Sequence, residues 1–370
     1  MIRSIALYLP QFHPIPENDE WWGKGFTEWT NVTKAKPIYK SHLQPRLPGD
    51  LGFYDLRVPE VREAQSDLAK SYGIYGFCYW HYWFAGRRII ERPFLEMVES
   101  KKPDFPFCIS WANQTWSGTW HGLSNKKTLI EQTYPGIEDF EKHFYSLLEA
   151  FHDNRYIEVN GRKLVFVFRP MEMPSPELFT SVWQNLAIKE GLNGIHFVGM
   201  HMPPEWDNNL YGYSAISELG PQLHKLRDPT LVDKALHKML NIDFNEIRGE
   251  KFKLPVIIQY KNYVNRYPDH SMTPKEYPLI YPGWDNTPRS GKDGWLFEKS
   301  SPALFRKLCV KAFEQTENKP DQEKIVILKS WNEWAEGNFL EPDSLYGHQF
   351  LQAFKGAIHD YEKSKNFHQS

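Results

Sequence analysis

Leu164-Val165-Phe166-Val167-Phe168 and His196-Phe197-Val198-Gly199-Met200 are two short apolar runs, and between them lies Pro176–Glu190, a stretch with helical spacing of its apolar residues. A run of five apolar residues, bounded by polar loops, fits a strand buried on both faces. A strand, a helix and a second strand in that order read as a βα unit of a parallel sheet. Working outward, the same unit recurs. Strand-like runs stand at Ser4–Leu9, Gly76–Trp80, Phe107–Trp111, Ala215–Ser217, Val256–Gln259 and Ile325–Lys329. Helix-like stretches stand at Val58–Ser71, Phe94–Ser100, Ile137–Phe151, Leu231–Leu240, Pro302–Thr316 and Tyr346–Tyr361. About eight strands favour a closed (β/α)8 barrel, an α/β fold, over the alternative of an open doubly wound sheet. For the seventh strand, Ile280–Gly283 competes with Val256–Gln259. The chain of 370 residues carries no linker, repeat or low-complexity tract, so one barrel domain over residues 1–370 is expected.

Composition narrows the function. The net charge is -2, from 44 basic and 46 acidic residues, which gives no electrostatic footprint for nucleic acid or an anionic membrane. No stretch approaches the ~18 apolar residues of a membrane span, and the first residues run straight into a strand without a signal-like segment. A cytoplasmic protein is the expectation, and Cys78, Cys108 and Cys309 read as buried free thiols. Aromatic residues make up 15% of the chain, with 14 Trp, 19 Tyr and 24 Phe, although the mean hydropathy is -0.59. Flat rings with a polar edge suit the C–H-rich face of a sugar.

The strand ends carry the chemistry. Tyr8, Gln11 and His13 follow the first strand; Tyr79 and His81 end the second; Trp111, Asn113 and Trp116 follow the third; Glu218 follows the sixth; Trp331 and Asn332 follow the eighth. The long segments Pro10–Gly52, Asn113–Tyr134 and Tyr260–Gly294 add Glu28, Trp29, Trp284 and Asp285. In a barrel all of these gather at the C-terminal face, where active sites are built. Neutral hydrogen-bonding groups among flat rings fit a polyhydroxylated ligand, an oligosaccharide or polysaccharide, better than phosphate. Glycoside cleavage needs two carboxyl groups, and Glu333 and Glu336 supply a pair at i, i+3 just past a strand. Trp331 and Trp334 beside them would keep water away and raise the pKa of the acid. The same spacing also fits a solvated helix start capped by Asn332. Asp285 and Glu28 read equally as loop or ion-pair residues. His13, His81, His121 and His201 lack ligand-like spacing, so neither metal nor cofactor is expected.

Five motifs then make the chain recognisable. Ala6-Leu7-Tyr8-Leu9-Pro10-Gln11-Phe12-His13, Gly25-Phe26-Thr27-Glu28-Trp29, Ser110-Trp111-Ala112-Asn113, Pro282-Gly283-Trp284-Asp285-Asn286-Thr287 and Trp331-Asn332-Glu333-Trp334-Ala335-Glu336-Gly337 resemble the WbsX-like family, a relative of glycoside hydrolase family 99, the endo-α-mannosidases. The resemblance implies a (β/α)8 barrel, with Glu333 and Glu336 catalytic and no cofactor. It implies a retaining hydrolase of α-mannoside-like or bacterial surface-polysaccharide glycans. One glutamate, by order Glu333, takes the proton of the sugar 2-hydroxyl, whose oxygen closes a 1,2-anhydro sugar. The other, Glu336, protonates the leaving oxygen, and water opens the epoxide. Where many relatives carry an acidic residue and a basic pair after Asn113, this chain has Gln114-Thr115-Trp116-Ser117-Gly118, so its sugar need not be mannose. The rival function is a glycosyltransferase of O-antigen or capsule assembly, against which stand the missing D-x-D motif and Gly-rich phosphate loop.

Overall fold

A computed structural model describes residues 2–118, 128–202, 207, 210–217, 220–221, 226, 255–268 and 270–368. Its core is a ring of parallel strands. In chain order these are Arg3–Tyr8, Gly76–His81, Phe107–Trp111, Arg162–Val167, Ile195–Gly199, Ala215–Ser217, the pair Glu276–Tyr277 and Leu279–Ile280, and Ile325–Leu328. Each neighbours the next, and Arg3–Tyr8 pairs with Ile325–Leu328 in register Ala6↔Leu328. The ring is completed through Pro278. On one side of it Tyr277 pairs with Ser217; on the other Ile280 pairs with Leu328. Pro278 lacks an N–H, which splits the seventh strand into two pieces.

This corrects the expectation for the seventh strand. Val256–Gln259 lies outside the ring and pairs in parallel with Trp295–Glu298. Its apolar run reads well as a strand, whereas the true strand includes Glu276 and a proline and so reads poorly as one. The segment Tyr260–Gly294 is therefore not one loop, because it carries a helix, Tyr260–Arg266, and the seventh strand itself. The open-sheet alternative falls with ring closure. The expected helix Leu231–Leu240 lies outside the described residues.

Helices Pro59–Ser71, Arg92–Ser100, Ile137–Tyr145, Pro176–Lys189, Pro302–Glu314 and Gln349–His368 surround the strands. Three of them, at Pro59, Pro176 and Pro302, begin on proline, whose fixed φ and missing N–H suit the first helical turn. Ring strands sandwiched between interior and helices are apolar on both faces; all six residues of Gly76–His81 are buried. Cys78 and Cys108 sit side by side in register, and all three cysteines are buried free thiols. Among the described residues, no helix is long and apolar enough to cross a membrane.

Candidate active site

The eighth strand delivers both glutamates on one tight turn. After Ile325–Leu328 the chain forms a short antiparallel hairpin, Asn332–Glu333 against Asn338–Phe339, bridged by the 3-10 turn Trp334–Glu336. With three residues per turn, positions i and i+3 lie over one another, which aligns Glu333 with Glu336. Ser330 stiffens the hairpin: its hydroxyl accepts from the Glu333 N–H at 3.0 Å and donates to the Asn338 carbonyl at 2.8 Å. Gly337 closes the turn at φ +57, and a Cβ there would stand 2.8 Å from the backbone nitrogen of Asp285. The Asp285 N–H donates to the Glu336 carbonyl at 2.6 Å, which locks this turn to the loop after the seventh strand.

Charges around the pair are unevenly matched. Glu333 is 4% exposed and accepts from Trp80 Nε1 at 2.6 Å, Lys329 Nζ at 3.2 Å and Asn338 Nδ2 at 3.3 Å. Burial pushes its carboxyl up, but the Lys329 ammonium, a hydrogen bond with Glu336, the Arg289 charge and the Trp80 indole outweigh that and hold it below the usual range. Lys329 itself lies between the rings of Trp80 and Trp284, at 5.6 and 5.5 Å from their centroids. Glu336 accepts from Arg289 Nη1 at 2.7 Å, while Arg289 Nη2 donates to Glu28 Oε1 at 2.6 Å. Three carboxylates, Glu28, Glu333 and Glu336, thus face two cations. Burial raises the Glu336 carboxyl; Arg289 opposes that, Glu333 adds to it, and the group is pushed up to about 7. One carboxyl of the pair holds its proton near neutrality and the other gives it up, a requirement for acid and base to work at one pH.

The two carboxyls open into a cleft at the C-terminal mouth of the barrel. Its walls include Gln11, Trp80, Tyr82, Gln114, Trp116 and Phe168, with Arg289 and Lys329 at the glutamates. Of the sequence-predicted binding residues, Gln11 and Trp116 line this cleft beside the pair. Gln11 Nε2 is buried with no protein partner. Most other expected residues face the helix layer instead. The Tyr8 hydroxyl donates to Gln65 at 2.6 Å, Tyr79 packs on Phe94 and Phe107, and His81 Nε2 meets His143 Nε2 at 2.9 Å. Trp111 is walled in by Tyr134, His143 and Phe179. Side chains alternate along a strand, so Trp80 and Tyr82 take the cleft face that Tyr79 and His81 were expected to share. Likewise Ala112 and Gln114 line the cleft, while Asn113 joins two strand ends, donating to the Arg169 carbonyl at 2.8 Å and accepting from the Arg169 N–H at 2.7 Å.

The remaining expected residues serve the frame. Asn332 does not cap a helix; it accepts from the Leu9 N–H at 2.7 Å and donates to the Leu9 carbonyl at 3.0 Å, clamping the first strand end to the eighth. Trp29 donates to the Tyr54 carbonyl at 2.8 Å and packs on Phe12 and Trp334. His13 is buried against the Pro10 carbonyl, and burial lowers its pKa despite that hydrogen bond. Trp331 is fully buried against Phe77, and Trp334 stacks on Phe339 at 3.7 Å. Neither therefore roofs the glutamates; Trp80, Tyr82 and Phe168 do. Asp285 is held by His42 and Gln44, each at 2.7 Å, and by Thr287. It borders a second hollow behind the Gly337 turn, where Arg46 also pairs with Asp343 and Gln259 with Glu298. Trp284 stacks on Trp295 at 4.9 Å between that hollow and Lys329. Glu28 reaches the Glu333–Glu336 turn through Arg289 and the Ala335 N–H, the latter at 3.1 Å. Glu218 lies outside the described residues.

Sequence reasoning did not single out Arg289 and Lys329. Lys329, four residues before Glu333 at a strand end, was the legible signal; Arg289, 47 residues before Glu336, gave none. Among the described residues no three His, Cys, Asp or Glu side chains are grouped to hold a metal ion.

Comparison with known proteins agrees with this architecture. A glycoside hydrolase-like protein superposes with a TM-score of 0.57 at 14% identity, over 96% of this chain and 93% of its own. The family 99 endo-α-mannosidase of Bacteroides thetaiotaomicron, solved with bis-tris propane, superposes with a TM-score of 0.56 at 12% identity, over 98% of both chains. At such identities the likeness is one of fold. In sequence, the chain is 36% identical over 356 residues to the uncharacterized protein WxcX of Xanthomonas campestris pv. campestris, and 35% identical to its counterpart in a second strain. Each match covers 96% of this chain and 49% of the relative, so the chain spans about half the length of the curated relatives it matches. Residues 4–354 match the family described as Glycosyltransferase WbsX, and over that length the chain belongs to the WbsX family.

Proposed function

We propose that the chain is a retaining glycoside hydrolase in which Glu336 is the acid and Glu333 the base. The observation that carries this reading is the pair itself: two adjacent carboxyls in an aromatic cleft, driven in opposite directions by their surroundings. Rings on several sides with Gln11 and Gln114 among them suit a neutral, hydroxyl-rich ligand. The substrate class is an α-mannoside-like or bacterial surface-polysaccharide glycan, by analogy with the endo-α-mannosidase of the same fold.

In this reading Glu333, ionised beside Lys329, takes the proton of the sugar 2-hydroxyl. The 2-oxygen attacks the anomeric carbon and forms the 1,2-anhydro ring as the glycosidic bond breaks. Glu336 gives its proton to the departing oxygen. Water, deprotonated by Glu336, then opens the ring at the anomeric carbon, and the 2-oxygen recovers a proton from Glu333.

The family's description favours a second reading, a glycosyltransferase of surface-polysaccharide assembly. A nucleotide-sugar donor needs cations for its diphosphate, and both cations described in the cleft wall, Arg289 and Lys329, are already paired with carboxylates. Incubation with bacterial surface polysaccharides and α-mannans, followed by a reducing-end assay, tests the hydrolase. Calorimetric titration with nucleotide sugars tests the transferase. Release of reducing ends that is lost in Glu333→Gln and Glu336→Gln supports the first; tight nucleotide-sugar binding without hydrolysis supports the second.

A further inference from the structure

Glu28 is 0% exposed, starts the helix Glu28–Lys34 and stands 305 positions before Glu333 in the chain, yet it ends beside the catalytic turn. One carboxylate oxygen accepts both Arg289 Nη2, at 2.6 Å, and the Ala335 N–H, at 3.1 Å; the other oxygen is buried with no partner. A buried carboxylate with a bare oxygen is costly to keep, and is kept where a neighbouring cation compensates it. Arg289 is that cation, and its other arm reaches Glu336 at 2.7 Å. The guanidinium is thus a bridge between two carboxylates, with side chains 11% exposed on its own part and 12% on that of Glu336.

We propose that Glu28 is a positioning residue: by holding one arm of Arg289 it weakens that cation's grip on Glu336 and lets Glu336 keep the proton it donates. The inference rests on the acid role given to Glu336 above. The bridge divides one positive charge between two negative ones, so the ionised form of Glu336 is stabilised less than by an unshared arginine. Other charged and titratable groups face Glu336 as well: Glu333 and Lys329 from the eighth strand and Tyr82 after the second. These stay in place when Glu28 alone is changed. The Ala335 contact ties the same carboxylate to the turn, so Glu28 also fixes where the acid stands.

Glu28→Gln removes the charge and retains an oxygen for the Ala335 N–H. Isotope-edited infrared titration, with the spectrum of the matching Glu336→Gln protein subtracted, follows the Glu336 carboxyl without any need for activity. In Glu28→Gln its titration, and the basic limb of the pH profile of kcat/KM, should move to lower pH by roughly 1–2 units. In Arg289→Met both should move to higher pH, and the double variant should return toward wild type. A structural role alone would lower the melting temperature without moving the titration in opposite directions. A folded Glu28→Gln protein whose Glu336 titration does not move overturns the proposal. If the titrations move as expected but wild-type protein cleaves no glycoside, the positioning role stands and the hydrolase reading fails.

Discussion

Glu336 lies on the hairpin turn and Glu341 five residues on, just past the hairpin, and burial pushes both carboxyls up to about 7. Their surroundings differ completely. Glu341 is 3% exposed and accepts from Tyr54 at 2.8 Å, Gln65 at 2.6 Å and the Trp334 indole at 2.6 Å. Those donors oppose the rise without cancelling it, both oxygens are engaged, and Glu341 borders the second hollow, not the cleft of the paired glutamates. Glu336 has one arginine and an open side toward the cleft. A displaced pKa therefore marks a functional carboxyl only where a reacting atom can reach it.

The sharpest way to break the comparison is to neutralise each carboxyl in turn. Glu333→Gln and Glu336→Gln should each lower kcat/KM on the natural glycan by about 10²–10⁴-fold; the first, which leaves buried Lys329 facing an amide, should also lower the melting temperature, so rates are compared per folded molecule. With an activated leaving group, which needs little protonation, Glu336→Gln should recover much of its rate and Glu333→Gln should not. Parallel kinetics on a natural glycan and an aryl glycoside decide it; equal losses on both would remove the division of labour.

Next in size is the difference between rings of the frame and rings of the cleft. Trp111→Ala, in a fully enclosed site, should cost about 3–5 kcal/mol of stability, read by denaturant unfolding. Trp116→Ala, at the half-buried cleft wall, should leave stability nearly unchanged and weaken glycan binding by about tenfold, or ~1.4 kcal/mol. Full substrate affinity in Trp116→Ala would sink this reading of the cleft.

Glu341→Gln should destabilise the fold by about 1–3 kcal/mol, because an amide N–H₂ replaces an oxygen where donors converge. The activity of the molecules that remain folded should be untouched. An activity loss larger than the folded fraction explains would erase the distinction between the two glutamates.

The smallest effect is on the pH dependence of stability. Both carboxyls have folded pKa values raised above that of an unfolded glutamate, so the folded state holds protons that the unfolded chain releases. The stabilisation is complete below the unfolded value and is lost as pH rises toward about 7. The buried histidines, whose pKa values burial lowers, act in the opposite sense, so the carboxyl contribution is read as a difference: between pH 5 and pH 8 the melting temperature of the wild type should fall relative to that of Glu341→Gln. A difference that stays constant with pH would mean Glu341 does not hold its proton in the folded state.

The sequence by itself determined the class of fold and the strand end that carries the candidate glutamate pair. Alternating runs such as Leu164–Phe168, Pro176–Glu190 and His196–Met200 specify parallel βα units, because a strand buried on both faces must be apolar throughout. That same continuity hid the details. In a half-exposed strand, polar residues reveal which face is which; in Gly76-Phe77-Cys78-Tyr79-Trp80-His81 every side chain is buried, so nothing local distinguishes the cleft face from the helix face. The expectation fell on Tyr79 and His81, and only the pairing of strands around the ring turned Trp80 inward. The seventh strand was only half legible: Val256–Gln259 has the better strand composition, but the competing Ile280–Gly283 touches the true strand at Ile280, and Glu276–Ile280 bridges the sixth and eighth strands. The glutamate pair was legible because its partners are close in the chain. Lys329 is close too, but the other cation, Arg289, is paired with Glu28, 261 residues away, and a salt bridge at that separation exists only once the barrel has closed.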